Sequence, residues 1–365
     1  MRFTAIIFVL INHAIWNFPD AEGPVFFVMK NLGFLGVELF FVLSGFLIGR
    51  ILFKIFTSKD FSGANLRYFL IRRWFRTLPA YFLALIINVL IVIWVGRELP
   101  ETLWLYFGFL QNTHFAMDLF FTESWSLPVE EFAYVLGPLL LYLTMFLKTK
   151  MSKTKQFLII TLGIIAIFTI TKSIYNLSAE TFSMHQWNKE VKAVVIYRID
   201  AIYYGVLAAI LSLVKPEFWD RRASLLLKIG AAFFFTLQFV FQTVDSESYV
   251  FQSILNVMYL PIISISIALG LPFLSKMKTT KSFILKPITV ISMISYSMYL
   301  LHYSIVLQVM RLFVVIEEMS MIEKWLLSFS YMVITTVLAY FLYRFYEKPM
   351  MDIRDRPFFR KNVKS

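Results

Sequence analysis

The stretch GFLGVELFFVLSGFLIGRILFKI, residues 33–55, decides how this chain is to be read. Its charged residues are Glu38 toward one end and Arg50 and Lys54 toward the other. A helix of this length covers the hydrocarbon core of a bilayer, about 30 Å thick. A soluble amphipathic helix would interleave polar positions every three or four residues, and this run does not. Further apolar runs lie near 2–18, 76–96, 129–147, 156–175, 197–214, 224–243, 250–274, 288–313 and 323–346. With the first they make ten expected spans. The stretch 102–121 is also apolar, but Gln111, Asn112, His114 and Asp118 interrupt it. It reads as a re-entrant or interfacial segment.

Composition agrees. Apolar residues make up 59% of the 365-residue chain, above the roughly 45–50% of globular domains. The net charge of +12 would suggest nucleic acid in a soluble protein. Here the basic residues sit between the apolar runs, where a positive-inside bias explains them, and no nucleic-acid role is expected. The chain has no cysteine, which excludes disulfides, thiolate metal sites and cysteine nucleophiles. The run from Phe3 to Phe18 leads into Asp20 and Glu22 without a small-residue cleavage site, so the first segment is expected to be retained.

Loop charge orients the bundle. The connection 50–76 carries Arg50, Lys54, Lys59, Arg67, Arg72, Arg73 and Arg76 against Asp60, while 148–155 and 276–286 each hold four lysines and no acid. The alternate connections are neutral or acidic. An eleventh span at 102–121 would invert every later loop. The expected fold is therefore all-α, a polytopic transmembrane helix bundle of about ten helices with both termini cytoplasmic. Residues 1–350 form its membrane domain and 351–365 a basic cytoplasmic tail.

Ionisable groups inside spans are expensive and mark candidate sites. His13 follows Arg2 by eleven positions, close to three full turns, so both share one face about 16 Å apart along the axis. Imidazole can take and return a proton near neutral pH without a metal; a buried histidine bonded to a neighbouring helix is the structural alternative. Glu38 lies near the outer end of the second span, with Ser44 and Gly45 near its middle, where small residues also serve close packing. Arg72-Arg73-Trp74-Phe75-Arg76 suits an anionic phosphate, or a topology signal against anionic lipid. Glu130 and Glu131 follow Trp125-Ser126-Leu127-Pro128-Val129 at a helix start, where carboxylates also complement the helix dipole. Arg198 and Asp200 open the sixth span, where an ordinary ion pair is the default. His302 falls inside the ninth span, and Glu347 and Pro349 close the tenth.

In this order the motifs resemble the acyltransferase-3 family, which includes bacterial O-antigen and peptidoglycan O-acetylases. The resemblance runs over nearly the whole chain: Arg2 to His13, Phe40-Phe41-Val42-Leu43-Ser44-Gly45-Phe46-Leu47-Ile48, the Arg72 to Arg76 cluster, Trp125-Ser126-Leu127 with Val129-Glu130-Glu131, Ser295 to His302, and Glu347-Lys348-Pro349. The family usually carries Asp where this chain has Glu38, Ser where it has Pro128, and Gln-Phe-Tyr in place of Phe132-Ala133-Tyr134. It also carries several residues ahead of the arginine matching Arg2, so a longer amino-terminal arm is expected.

The resemblance implies a multi-pass enzyme of the bacterial inner membrane. It would move an acyl group, most often acetyl, from cytoplasmic acyl-CoA to a hydroxyl of a glycan or glycolipid. No permanent cofactor and no metal are implied; acyl-CoA is a co-substrate, and membrane lipids are neighbours. His13 would act as general base or transient acyl carrier, and Arg2 would orient the donor. Arg72, Arg73 and Arg76 would hold its phosphates. Glu130 or Glu131 would position the acceptor, with Glu38, Ser44, Arg198, His302 and Glu347 in support. With no hydrolase-like domain after the tenth span, the membrane domain itself is expected to modify the acceptor. Two rival classes are a permease or flippase for a lipid-linked sugar, which needs no acyl donor, and a scaffold in a polysaccharide-assembly complex.

The topology is testable by cysteine labelling. Cysteines at Ser62 and Ser152 should resist a membrane-impermeant thiol reagent in intact cells and one at Ser246 should react; the opposite pattern would overturn the orientation.

Overall fold

A computed structural model describes residues 1–179, 183–245, 248–277 and 285–356. Ser246, Lys278 and Lys281, and residues 357–365 of the expected tail, lie outside the described residues. Among those described there is no strand. The helices are α1 (Arg2–Ala14), α2 (Pro24–Thr57), α3 (Gly63–Trp94), α4 (Leu103–Phe107), α5 (Ser126–Leu143), α6 (Lys153–Ser178), α7 (Met184–Trp187) and α8 (Ile199–Val214). They continue with α9 (Pro216–Arg221), α10 (Ala223–Thr243), α11 (Tyr249–Ser253), α12 (Leu260–Ser275), α13 (Leu285–Leu301), α14 (Gln308–Arg311), α15 (Met321–Leu342) and α16 (Lys348–Arg354). Short π and 3-10 turns join several of them into longer rods.

Among the described residues, eight helical stretches are long and apolar enough to cross a membrane. The other two expected spans form the shorter α1, with 13 residues, and α8, with 16. At 1.5 Å per residue these are only about 20 and 24 Å long. Both pack against α2, and their buried side chains belong to the protein core. The stretch 102–121 forms no span. After α4 it runs irregularly, with left-handed backbone at Phe109 and Phe121. Several of its polar groups are met by the bundle: Tyr81 Oη donates to the Tyr106 carbonyl (2.8 Å), and Asn112 Nδ2 donates to the carbonyls of Trp125 (2.8 Å) and Ala193 (2.5 Å). Irregular backbone is tolerated in a membrane protein where protein covers it in this way.

The connection 50–76 differs from expectation. α2 continues to Thr57 and α3 begins at Gly63, where Ser62 and Asn65 form a capping box. The arginine cluster is therefore helical, and the helical phase decides which of its members face inward.

The Arg198 and Asp200 pair is a second correction. Residues two apart on a helix point in nearly opposite directions. Arg198 pairs with Glu38 on α2, and Asp200 pairs with Lys172 on α6. Ser264 on α12 also donates to Glu38 (3.0 Å). All four charged side chains are buried.

Close backbone contact accompanies these pairs. A Cβ added to Gly45 would overlap the Ile202 carbonyl, and one added to Gly205 would overlap the Val42 carbonyl. The packing role considered for Gly45 is thus realised, whereas Ser44 points elsewhere. Overpacking such a contact costs about 1–3 kcal/mol or more. Gly205→Leu should lower the thermal unfolding midpoint in detergent, while Gly163→Leu, which meets nothing within 4 Å, should leave it nearly unchanged. Equal midpoints would show that the α2–α8 contact does not limit stability.

Candidate functional site

Two cavities lie along α1, and its eleven-residue spacing places one expected group in each. The first, of about 90 Å³, is lined by Arg2, Ser44, Arg73, Arg76, Thr77, Glu130 and Tyr296 among others. Arg73, Arg76 and Thr77 share a face of α3 because they are three and four residues apart. Arg72 is turned outward, 3.9 Å from Asp355 and over the ring of Tyr68. The adjacent carboxylates divide in the same way. Glu130 lines the cavity, while Glu131 accepts from Thr77 Oγ1 at 2.8 Å.

Tyr134 organises this chamber. Its hydroxyl donates to the Glu130 carboxylate and therefore accepts from Ser44, since its one proton is spent. The Arg73 guanidinium lies 4.2 Å from the Tyr134 ring centroid, and its buried Nε has no hydrogen-bond partner among the described residues. Three cations, Arg2, Arg73 and Arg76, face one carboxylate. Such a chamber suits an anion with apolar groups attached, because Phe40, Phe41, Leu43 and Leu127 complete its wall.

The second cavity, of about 730 Å³, contains His13, His302, Trp16 and Tyr303. His13 Nδ1 lies 2.9 Å from the Val9 carbonyl and His302 Nδ1 lies 2.7 Å from the Tyr299 carbonyl. A carbonyl can only accept, so each Nδ1 carries hydrogen and each neutral ring keeps its lone pair on Nε2. His302 Nε2 is buried with no hydrogen-bond partner among the described residues. The two rings meet edge to face, with centroids 4.7 Å apart. Tyr303 is 4.9 Å and Trp16 is 5.7 Å from the His13 ring. A π-helical segment, His302–Leu307, interrupts the end of α13 here; such widened turns recur at functional sites.

Val37 and Tyr299 line both cavities and form the wall between them. Tyr299 Oη donates to the Glu123 carbonyl (2.9 Å) and so accepts from Ser126 Oγ (2.8 Å), which fixes the ring across the gap. Glu123 is itself pinned, its carboxylate accepting from the Ser304 N–H (3.0 Å) and hydroxyl (2.6 Å). Across the chamber sits half-buried Lys192, whose ammonium burial pushes down to about 8.

The sequence-derived set is therefore partly assembled. His13 and His302 meet in one cavity, and Arg2, Arg73, Arg76, Glu130 and Ser44 meet in the other. Arg72, Glu131, Glu38, Arg198 and Glu347 line neither; Glu347 is buried and accepts from Ser297 Oγ at 2.6 Å. Tyr299, Glu123 and Lys192 escaped the sequence reading. Glu123 stands two residues before Trp125 and was within reach of it. No spacing rule connects position 192 to position 13.

Comparison with known proteins completes the assignment. A family model described as an acyltransferase domain, acyltransferase-3, matches residues 1–344. The peptidoglycan O-acetyltransferase OatA of Listeria monocytogenes (serovar 1/2a, strain EGD-e) is 27% identical over 372 aligned residues, 96% of this chain and 54% of that protein. A Bacillus subtilis (strain 168) protein named "Putative peptidoglycan O-acetyltransferase YrhL" is 32% identical over 165 residues, 40% of this chain and 24% of that protein. The chain thus spans about half the length of OatA, and its match covers about a quarter of YrhL. No solved structure matches the chain significantly. Ordered motifs, two chambers on one helix and a family match over nearly the full length agree: the chain belongs to the acyltransferase-3 family of membrane proteins.

Proposed function

We propose that this chain transfers an acyl group, most simply acetyl, from acyl-CoA in the cytoplasm to a hydroxyl of a cell-surface glycan such as peptidoglycan. In this reading both termini are cytoplasmic and the protein sits in the bacterial plasma membrane. The observation that carries it is the pair of cavities joined at Val37 and Tyr299, one cationic and one built around a free imidazole nitrogen. The names of the relatives support acetyl as the group and peptidoglycan as the acceptor class.

The arginine cavity is too small for a whole coenzyme. Arg73 and Arg76 therefore hold donor phosphates at its mouth, while Arg2 orients the pantetheine arm as it passes along α1. His13 Nε2 removes the proton of the acceptor hydroxyl. The resulting oxygen attacks the thioester carbonyl, the C–S bond breaks, and the thiolate recovers a proton. Alternatively the same lone pair attacks the thioester carbonyl first, the C–S bond breaks to release the coenzyme A thiolate, and the acyl-imidazole then passes its acyl group to the hydroxyl, whose proton ends on the thiolate. Either route needs the tautomer that the Val9 carbonyl selects.

His13→Ala should lower transfer from labelled acetyl-CoA by about 10²–10⁴-fold with normal membrane insertion. Near-normal transfer would remove His13 from the chemistry. A permease would consume no acetyl-CoA in the same assay.

Donor contacts made equally in ground and transition states change KM more than kcat. Arg73→Gln or Arg76→Gln should raise the acyl-CoA KM roughly ten- to a hundredfold, and lysine should rescue only partly. Arg72→Gln should do less, because that side chain points toward Asp355. Equal KM values in wild type, Arg73→Gln and Arg76→Gln would remove the donor assignment.

A further inference from the structure

The wall of the histidine cavity holds more positive charge than acyl transfer uses. Lys30 on α2, Lys189 and Lys192 after α7, and Arg311 at the end of α14 line it. Opposing them are two carboxylates, and both are engaged inside the protein. Asp118 accepts from Thr102 Oγ1, and Glu123 accepts from Ser304. Among the described residues none of the four cations forms an ion pair.

Two of the four act on the imidazole or on the ring packed beside it. Lys192 is near enough to act electrostatically on His13. Its Nζ donates to Asn188 Oδ1 at 2.9 Å and lies 6.0 Å from the ring centroids of Phe34 and Trp125. Arg311 acts in the same way on Tyr303, whose ring is 4.9 Å from that of His13. The carboxylate that acts on Lys192, Glu38, is already paired with Arg198, and a concave wall with an excess of one sign concentrates its field on whatever enters.

We propose that the acceptor is an anionic glycan, with Lys192 and Arg311 gripping its carboxylate or phosphate while a neighbouring hydroxyl meets His13. This rests on the histidine cavity being the acceptor site of the proposed function. Arg311 offers a planar fork to two oxygens, and Lys192 offers a point charge that can follow either kind of acid. The aromatic rings of Trp16 and Tyr303 beside His13 suit the apolar face of a sugar ring. An anionic lipid headgroup has the same charge, but both cations line the cavity that holds His13, Lys192 acting on His13 and Arg311 on Tyr303.

The test uses the full chain in nanodiscs of zwitterionic lipid without acyl donor, so that binding is read separately from turnover. Three probes are compared by calorimetry: an N-acetylhexosamine disaccharide bearing a lactyl carboxylate, its methyl ester, and the same methyl ester phosphorylated on a sugar hydroxyl. At least one acid should bind about tenfold or more tightly than the methyl ester, and the tighter of the two identifies the acidic group. Lys192→Met with Arg311→Met should abolish the preference, and Lys192→Arg with Arg311→Lys should restore most of it, which separates charge from folding. Equal binding of acid and ester, binding of no probe, or a preference surviving in the Met variant would overturn the proposal. So would loss of probe binding when anionic lipid replaces the zwitterionic lipid, since the cations would then serve headgroups. Acetyl transfer measured on the same preparation reports on the proposed function independently.

Discussion

The buried ion pair between Glu38 and Arg198 is the contact on which the rest of the bundle depends. Neither side chain reaches the surface, so each needs the other. Removing one partner of such a pair costs about 3–5 kcal/mol, because the remaining charge is left without compensation. The pair joins the middle of the longest helix to the start of a short one, and Ser264 adds a third helix to the junction. Two residues on and facing the other way, Asp200 takes Lys172 from α6. Four helices are thereby set in one register, and the glycine contacts at Gly45 and Gly205 hold the two central backbones together.

That register explains why the two cavities occur where they do. α1 packs against α2, and α2 is held by the ion pair, so Arg2 and His13 are presented at fixed positions on one face. Tyr299 divides the space beneath them because both Ser126 and the Glu123 carbonyl bond its hydroxyl. The arginine side is small and cationic; the histidine side is large and mixed. The valine and tyrosine shared by both cavities mark the boundary at which the thioester and the acceptor hydroxyl of the proposed reaction would have to meet.

Polar groups in membrane proteins are read well from sequence when the reason for them is local. The Arg2 to His13 spacing is local, and the structure keeps it. Hydrophobicity places the arginine cluster only at the cytoplasmic start of the third span, yet Ser62 and Asn65 begin the helix well ahead of it. Helical phase then turns Arg73 and Arg76 inward and Arg72 outward. Similarly, Glu130 and Glu131 are indistinguishable as letters, and only the position of Thr77 on α3 tells which one faces the cavity.

By itself the sequence determined the all-helical membrane architecture, the irregular segment at 102–121, and the motifs that mark the family. The reason is that hydrophobic length and the cost of burying polar atoms in lipid act on contiguous residues. Tertiary structure alone decided that Arg198 pairs with Glu38, that His302 faces His13, and that Lys192 and Arg311 share a chamber with both. Glu38 and Arg198 lie 160 positions apart, His13 and His302 289, and Lys192 and Arg311 119, and no periodicity within one helix encodes the rotation of another about its own axis.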